Sequence, residues 1–144
     1  MIVTEVKIRL IPPKGNGDDR LLAFCSVVID NAIVIHGVKV INGPKGPFMA
    51  VPSRKLTDYC VNCNTKNHRI AKFCNECGDQ LPLDRFPQGE DLYSDIVHPI
   101  HPAARKILND AVLGTYSDEE KVARSKETYD YDWATYDFQK EYSA

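Results

Sequence analysis

Four cysteines fall into two Cys-x-x-Cys pairs, Cys60 with Cys63 and Cys74 with Cys77, and ten residues separate the pairs. Two ligands three positions apart reach one tetrahedral ion when the backbone between them turns as a tight knuckle. Gly78, directly after the last cysteine, supplies the backbone freedom such a turn uses. Four thiolates complete the tetrahedron and leave no open position for water, so the expected site is structural and not catalytic. A thiol–disulfide exchange pair needs one such motif and leaves the second unexplained. Iron is the chemical competitor, because four thiolates also hold iron; the ligand set favours zinc, and Zn2+ is the expected cofactor. The fifth cysteine, Cys25, lies in the apolar run Leu-Leu-Ala-Phe-Cys-Ser-Val-Val-Ile, where a thiol behaves as a small hydrophobe.

Other residue types invite chemistry less strongly. His68 lies between the cysteine pairs with Lys66, Arg69 and Lys72; as a fifth ligand it is surplus, and a solvated basic loop able to touch phosphate or dock a protein is the alternative. His98-Pro99-Ile100-His101 has no third histidine, serine or aspartate placed to complete a metal or catalytic site, and reads as a helix cap with a packing role. Paired carboxylates, a nucleophile elbow and a glycine-rich phosphate loop are all missing from the sequence, so no enzymatic activity is expected. Two adjacent cation pairs stand out. Arg54 and Lys55 follow a strand-ending Pro-Ser, and Arg105 and Lys106 open the solvent face of a helix, where a phosphate would meet both side chains and the helix N-terminus. Most lysines and arginines are merely surface charges, and Lys7 and Lys39, outward on strands, are weaker candidates still.

The elements that carry these residues follow from periodicity. From Ile2 to Leu10, Val6, Ile8 and Leu10 alternate with Glu5, Lys7 and Arg9, the pattern of a half-buried strand. Residues 12–19, Pro-Pro-Lys-Gly-Asn-Gly-Asp-Asp, form a loop. Leu21 to Ile29 and Ile33 to Ile41 are β-branched runs joined by Asp30-Asn31, which predicts a hairpin. Phe48 to Val51 is a fourth short strand stopped by Pro52. The two long runs lack strict alternation, so cover on both sheet faces is expected. The rhythm breaks over residues 56–90, an insert centred on the cysteines that returns through residues 81–89. After it, Pro102 suits a first helical turn. Ala104, Ile107, Leu108, Ala111 and Val112 then line one face of a helix of about three turns, fading at Gly114. Ser117-Asp118-Glu119-Glu120 reads as a capping box for a further short helix. Beyond Thr128 the segment containing Tyr129, Asp130, Tyr131, Asp132 and Trp133 shows no period and is expected to be flexible.

At 144 residues the chain is long enough to build a core without disulfides. No apolar run approaches the roughly 18 residues of a membrane helix, and the charges in the first ten residues do not suit a signal peptide, so the expectation is a cytoplasmic protein without a membrane partner. Residues 117–144 carry four Lys/Arg against eight Asp/Glu, which makes the remainder mildly basic although the chain has a formal net charge of −2. A mildly basic body permits a nucleic-acid partner without demanding one.

With the insert set aside, the sequence resembles the SpoVG family of bacterial septation and sporulation regulators. One matching block runs Ile35-His36-Gly37-Val38-Lys39-Val40-Ile41-Asn42-Gly43 and on through Gly46-Pro47-Phe48-Met49-Ala50-Val51-Pro52-Ser53-Arg54-Lys55. A second runs Tyr93-Ser94-Asp95-Ile96-Val97-His98-Pro99-Ile100 and continues through Arg105, Ile107, Ala111, Val112, Leu113 and Tyr116; Asp30 also fits. The resemblance covers residues 1–55 and 91–116, leaving a zinc-ribbon insert at 56–90 and an acidic-aromatic tail at 117–144. It implies an α+β fold, an antiparallel β-sheet with a C-terminal helix, and a homodimeric, site-selective DNA- and RNA-binding regulator. Gly37 stands where the family usually has an acidic residue, Ser94 where a basic one is common, and His101 in place of the usual Asn. Arg54, Lys55, Arg105 and Lys106 are the expected nucleic-acid contacts, with Lys66, Arg69 and Lys72 of the insert as an extension. The competing expectation is an interaction adaptor that docks a transcription or replication protein through the ribbon and acidic tail.

Overall fold

The architecture comes from a computed structural model, which describes residues 1–15, 19–82, 85 and 92–131. The end of the loop at residues 16–18, most of the return at 83–91 and the tail from Asp132 onward lie outside the described residues. Two compact units emerge: residues 1–52 together with the chain from His98 on, and Ser53–Val97.

The first unit is an antiparallel meander backed by one helix. Strands β1 (Val3–Leu10), β2 (Leu21–Ile29), β3 (Ile33–Gly43) and β4 (Gly46–Ala50) lie in the order β1-β2-β3-β4, and α1 (Pro102–Ser125) packs on the sheet. This is the expected α+β arrangement. Cross-strand pairing sorts side chains by face. Ile8 lies opposite Cys25, which lies opposite Val38, and Leu10, Ala23, Val40 and Met49 continue that face. All are buried, and Leu108, Val112 and Tyr116 of α1 close over them. The opposite face is mixed rather than covered throughout. Ser26 and Val28 are buried there and Phe24 is half-buried, but Lys39 and Phe48 are exposed. The unbroken apolar look of β2 thus reflects its central position and not two equally buried faces.

Two local features set the register. Asp30 (φ 54°) and Asn31 (φ 50°) are both left-handed, and the Ala32 N–H donates to the Ile29 carbonyl at 2.9 Å, the chemistry of a primed hairpin turn. Asp30 also ties in β1, accepting from the Ile2 N–H at 2.8 Å through Oδ1. In β3 the register slips between the Cys25 and Val27 rungs, because His36 and Gly37 together oppose Ser26. Gly37 takes φ +80° at this bulge, a conformation in which glycine pays no Cβ penalty.

The helix differs from expectation. It does not fade at Gly114 but runs unbroken for 24 residues, and Ser117-Asp118-Glu119-Glu120 lies within it. Its buried stripe is Ala104, Leu108, Val112 and Tyr116, a strict four-residue spacing, whereas Ile107 is exposed. Tyr129 and Tyr131 pack against the same core and meet edge-on at 4.8 Å between centroids, so the start of the segment expected to be flexible is docked.

The second unit holds two short antiparallel pairs: β5 (Ser53–Lys55) with β8 (Tyr93–Asp95), and β6 (Thr57–Tyr59) with β7 (Lys66–His68). Its small core is Cys60, Cys74 and Leu81.

Candidate functional site

Both cysteine pairs sit in knuckles of one design. In the first, the Cys60 N–H donates to the Thr65 carbonyl at 2.9 Å and the Asn64 N–H returns to the Cys60 carbonyl at 2.9 Å. In the second, the Cys74 N–H donates to the Asp79 carbonyl at 2.8 Å and the Gly78 N–H returns to the Cys74 carbonyl at 3.1 Å. The residue after each second cysteine is left-handed, Asn64 at φ 62° and Gly78 at φ 75°. Asn64 is therefore the counterpart of Gly78, asparagine being the side chain that best tolerates this region.

The four sulfurs lie within 4.8 Å of one another. Cys60 and Cys77 Sγ are 3.7 Å apart and Cys63 and Cys74 Sγ are 3.5 Å apart. A tetrahedron with metal–sulfur bonds near 2.3 Å has edges of about 3.8 Å, so the thiols already stand at coordinating separation and can hold a metal ion. Hydrogen bonds ready two of the thiols, whereas Cys77, despite a hydrogen bond from Asn62, is pushed up to about 11 by desolvation and the neighbouring Cys74 and Cys63 thiols. The backbone N–H of Cys77, the Asn67 amide and the backbone N–H of Glu76 together pull the Cys74 thiol down to about 6. The Thr65 hydroxyl, then its backbone, lowers Cys63 as well. Thiolate is the form that binds metal, and less proton has to be displaced from a thiol so lowered. Cys25 is the contrast: burial pushes it up to about 12, as befits an inert core thiol.

Two residues that the spacing alone did not single out hold this unit together. Asn67, buried on β7, donates from Nδ2 to Cys74 Sγ at 3.4 Å and to the Thr65 carbonyl at 3.2 Å, while its Oδ1 accepts from the Asn75 N–H at 2.9 Å. One amide thus spans both knuckles. Arg85 donates to Asp58 Oδ2 at 2.8 Å and to the carbonyls of Arg69 at 2.8 Å, Ala71 at 3.0 Å and Pro82 at 2.7 Å, a fork that gathers separate loops. The sequence signal for Asn67 was only its place in a short strand between the pairs, and for Arg85 only a cation in a Pro/Asp-rich stretch.

The cation candidates scatter. Arg54 and Lys55 are both exposed on β5, but neighbouring strand residues point to opposite faces: Arg54 stands opposite Ser94 and Lys55 opposite Tyr93. They do not form one phosphate clamp. Lys66 and Lys72 are exposed, with the Lys66 ammonium 5.7 Å from the Tyr59 ring centre, whereas Arg69 is half-buried. Arg105 and Lys106 are exposed near the start of α1, and Lys106 pairs with Asp110 at 2.6 Å. No acidic residue occupies the first helical turn. His101 is the N-cap, its Nδ1 accepting from the Ala104 N–H at 3.1 Å, which is the capping role expected of it.

A four-stranded antiparallel meander with one C-terminal helix, and a four-thiol cluster in the chain between β4 and that helix, defines a small α+β protein with a segment that could hold a metal ion. The SpoVG family profile matches residues 1–118. Three relatives named as septation protein SpoVG show the same kinship. That of Finegoldia magna is 35% identical over 128 residues, covering 89% of this chain and 85% of the relative. That of Clostridium acetobutylicum is 34% identical, covering 89% and 94%. That of Bacillus pumilus is 30% identical over 134 residues, covering 93% and 97%. The chain belongs to the SpoVG family.

Proposed function

We propose that this chain is a non-enzymatic DNA- or RNA-binding regulator that acts as a homodimer in the reducing cytoplasm, with Cys60, Cys63, Cys74 and Cys77 holding Zn2+ as a structural crosslink. The observation that carries the nucleic-acid reading is the start of α1. Exposed Arg105 stands at the positive end of the helix dipole, with no carboxylate in the first turn to cancel its charge. Lys106 shares its charge with Asp110, so Arg105 bears more of the load. A closed set of four thiolates is the usual ligand set of a structural zinc, with iron its competitor; zinc there would supply a rigid link between knuckles and no reactive position. In the test, Arg105→Glu with Lys106→Glu weakens binding of a labelled duplex at least about tenfold in a mobility shift, as expected for reversing two phosphate contacts. Unchanged affinity moves the site elsewhere.

A second reading has an observation of its own. The ribbon exposes Val61 at 92%, Phe73 at 60%, Tyr59 at 58% and Ile70 at 46%, more apolar surface than so small a unit needs to shed. That favours an adaptor docking a protein partner through the ribbon. Absorbance at 260 against 280 nm of the purified protein separates the readings, since co-purifying nucleic acid is expected only of the first.

A further inference from the structure

We propose that the face of the four-stranded sheet turned away from α1 is a platform for single-stranded nucleic acid. Phe48 and the Arg9–Phe24 stack take the bases, and Lys7, Arg9 and Lys39 meet the phosphates. The inference rests on the nucleic-acid reading above and extends it to a second surface and to one form of the ligand.

The pairing register builds this face. Arg9 lies opposite Phe24, Phe24 opposite Lys39 and Lys39 opposite Ala50, so one row crosses all four strands with a cation on either side of a ring. Lys7, opposite Ser26, adds a third cation two residues along β1. It is half-buried and lies 3.9 Å from Glu5 Oε1, so Arg9 and Lys39 carry most of the charge of this face. The Arg9 guanidinium sits over the Phe24 ring, 5.1 Å from its centre, and a base can add to such a planar stack. Phe48, opposite Ile41 on the same face, is 44% exposed. Its ring is held down by an absence: a Cβ on Gly43 would stand 2.9 Å from Phe48 Cδ1 and Cε1. Glycine at 43 therefore lets the ring lie against the backbone while its outer side meets solvent.

An exposed ring fixed on a sheet beside a row of cations is what a single strand needs, because every unpaired base has a π-face and every nucleotide a phosphate. From strand spacing and rise, Phe24 and Phe48 stand about 12 Å apart, so each takes its own nucleotide. A duplex is a poor occupant, since its stacked bases are out of reach of rings lying on a flat sheet. A second copy of this chain is also a poor occupant, because Lys7, Arg9 and Lys39 would face like charge.

The test uses the full chain, zinc-loaded, with fluorescein-labelled oligo-dT and oligo-U of about 12 nucleotides and a mixed-sequence duplex of equal length, read by anisotropy. Phe48→Leu, which keeps apolar bulk, and separately the exposed Lys39→Glu are each expected to weaken single-strand binding about tenfold while duplex binding changes less than about twofold. An unchanged thermal midpoint confirms that each variant is folded. Single-strand affinity equal to wild type in both variants overturns the platform. If Arg105→Glu abolishes binding of every probe while Phe48→Leu and Lys39→Glu change none, the general reading stands and the sheet face falls. If the wild-type chain binds no probe, both fall together.

Discussion

Asn67 makes the cysteine cluster more than a spacing. Its amide nitrogen donates to Cys74 Sγ and its oxygen holds the second knuckle through the Asn75 N–H. Supporting partners of this kind orient ligands and tune their basicity, so Asn67→Ala is expected to lower Zn2+ affinity about 10–100-fold in competition with a chelating dye, with stoichiometry unchanged. The four clustered thiols were legible because their type and spacing are the chemistry itself. Asn64 and Asn67 were not, because asparagine is common in loops and only the fold shows one at positive φ and the other buried against sulfur. Cys25 gives a prediction of a different kind. Its thiol stays protonated in the fold to about 12, while in the unfolded chain it ionises near 9. The unfolded state therefore binds fewer protons over that window, and stability falls as pH rises from about 9 towards 12, by at most about 1.4 kcal/mol per pH unit from this group. Urea midpoints across that range should fall more steeply for wild type than for Cys25→Ala, whose core lacks the thiol.

At the scale of elements, α1 shows what periodicity gets right and where it stops. The run from Ala104 to Val112 announced the helix, but Gly114 followed by Ser-Asp-Glu-Glu looked like an end and a fresh start. Tertiary packing overrides that signal: Tyr116 continues the buried stripe one turn beyond Val112, and Glu120 pairs with Arg124 across the next turn. Nothing lies within 4 Å of where a Cβ would stand on Gly114. Gly114→Ala is therefore expected to raise stability by about 0.5–1 kcal/mol in chemical denaturation, the cost of glycine inside a helix. No gain would mean that the helix is interrupted there in solution. The hairpin at Asp30-Asn31 was readable from turn residues alone, whereas the β3 bulge was not. The φ of +80° at Gly37 supplies the physical reason for glycine at this position.

For the molecule as a whole, membership in the SpoVG family and the α+β meander follow from blocks that flank the insert, and both were legible because those blocks are continuous strands and one helix. The candidate binding surface was less legible. Adjacent residues in sequence suggested two cation pairs, but strand geometry turns Arg54 and Lys55 to opposite faces, and Lys106 is engaged by Asp110. Arg54 and Lys55 belong to the unit of Ser53–Val97, while Arg105 and Lys106 belong to the sheet-and-helix unit. Phosphate attraction on this account is the sum of dispersed cations and not the work of one pocket. Such a sum has a thermodynamic signature that needs no knowledge of the target sequence. The direct measurement is the affinity of the full chain for a labelled oligonucleotide at several salt concentrations between about 50 and 200 mM. With four or more phosphates neutralised, log K should fall linearly against log salt with a slope of about −3 or steeper. An affinity that does not change with salt would contradict nucleic-acid binding by these cations.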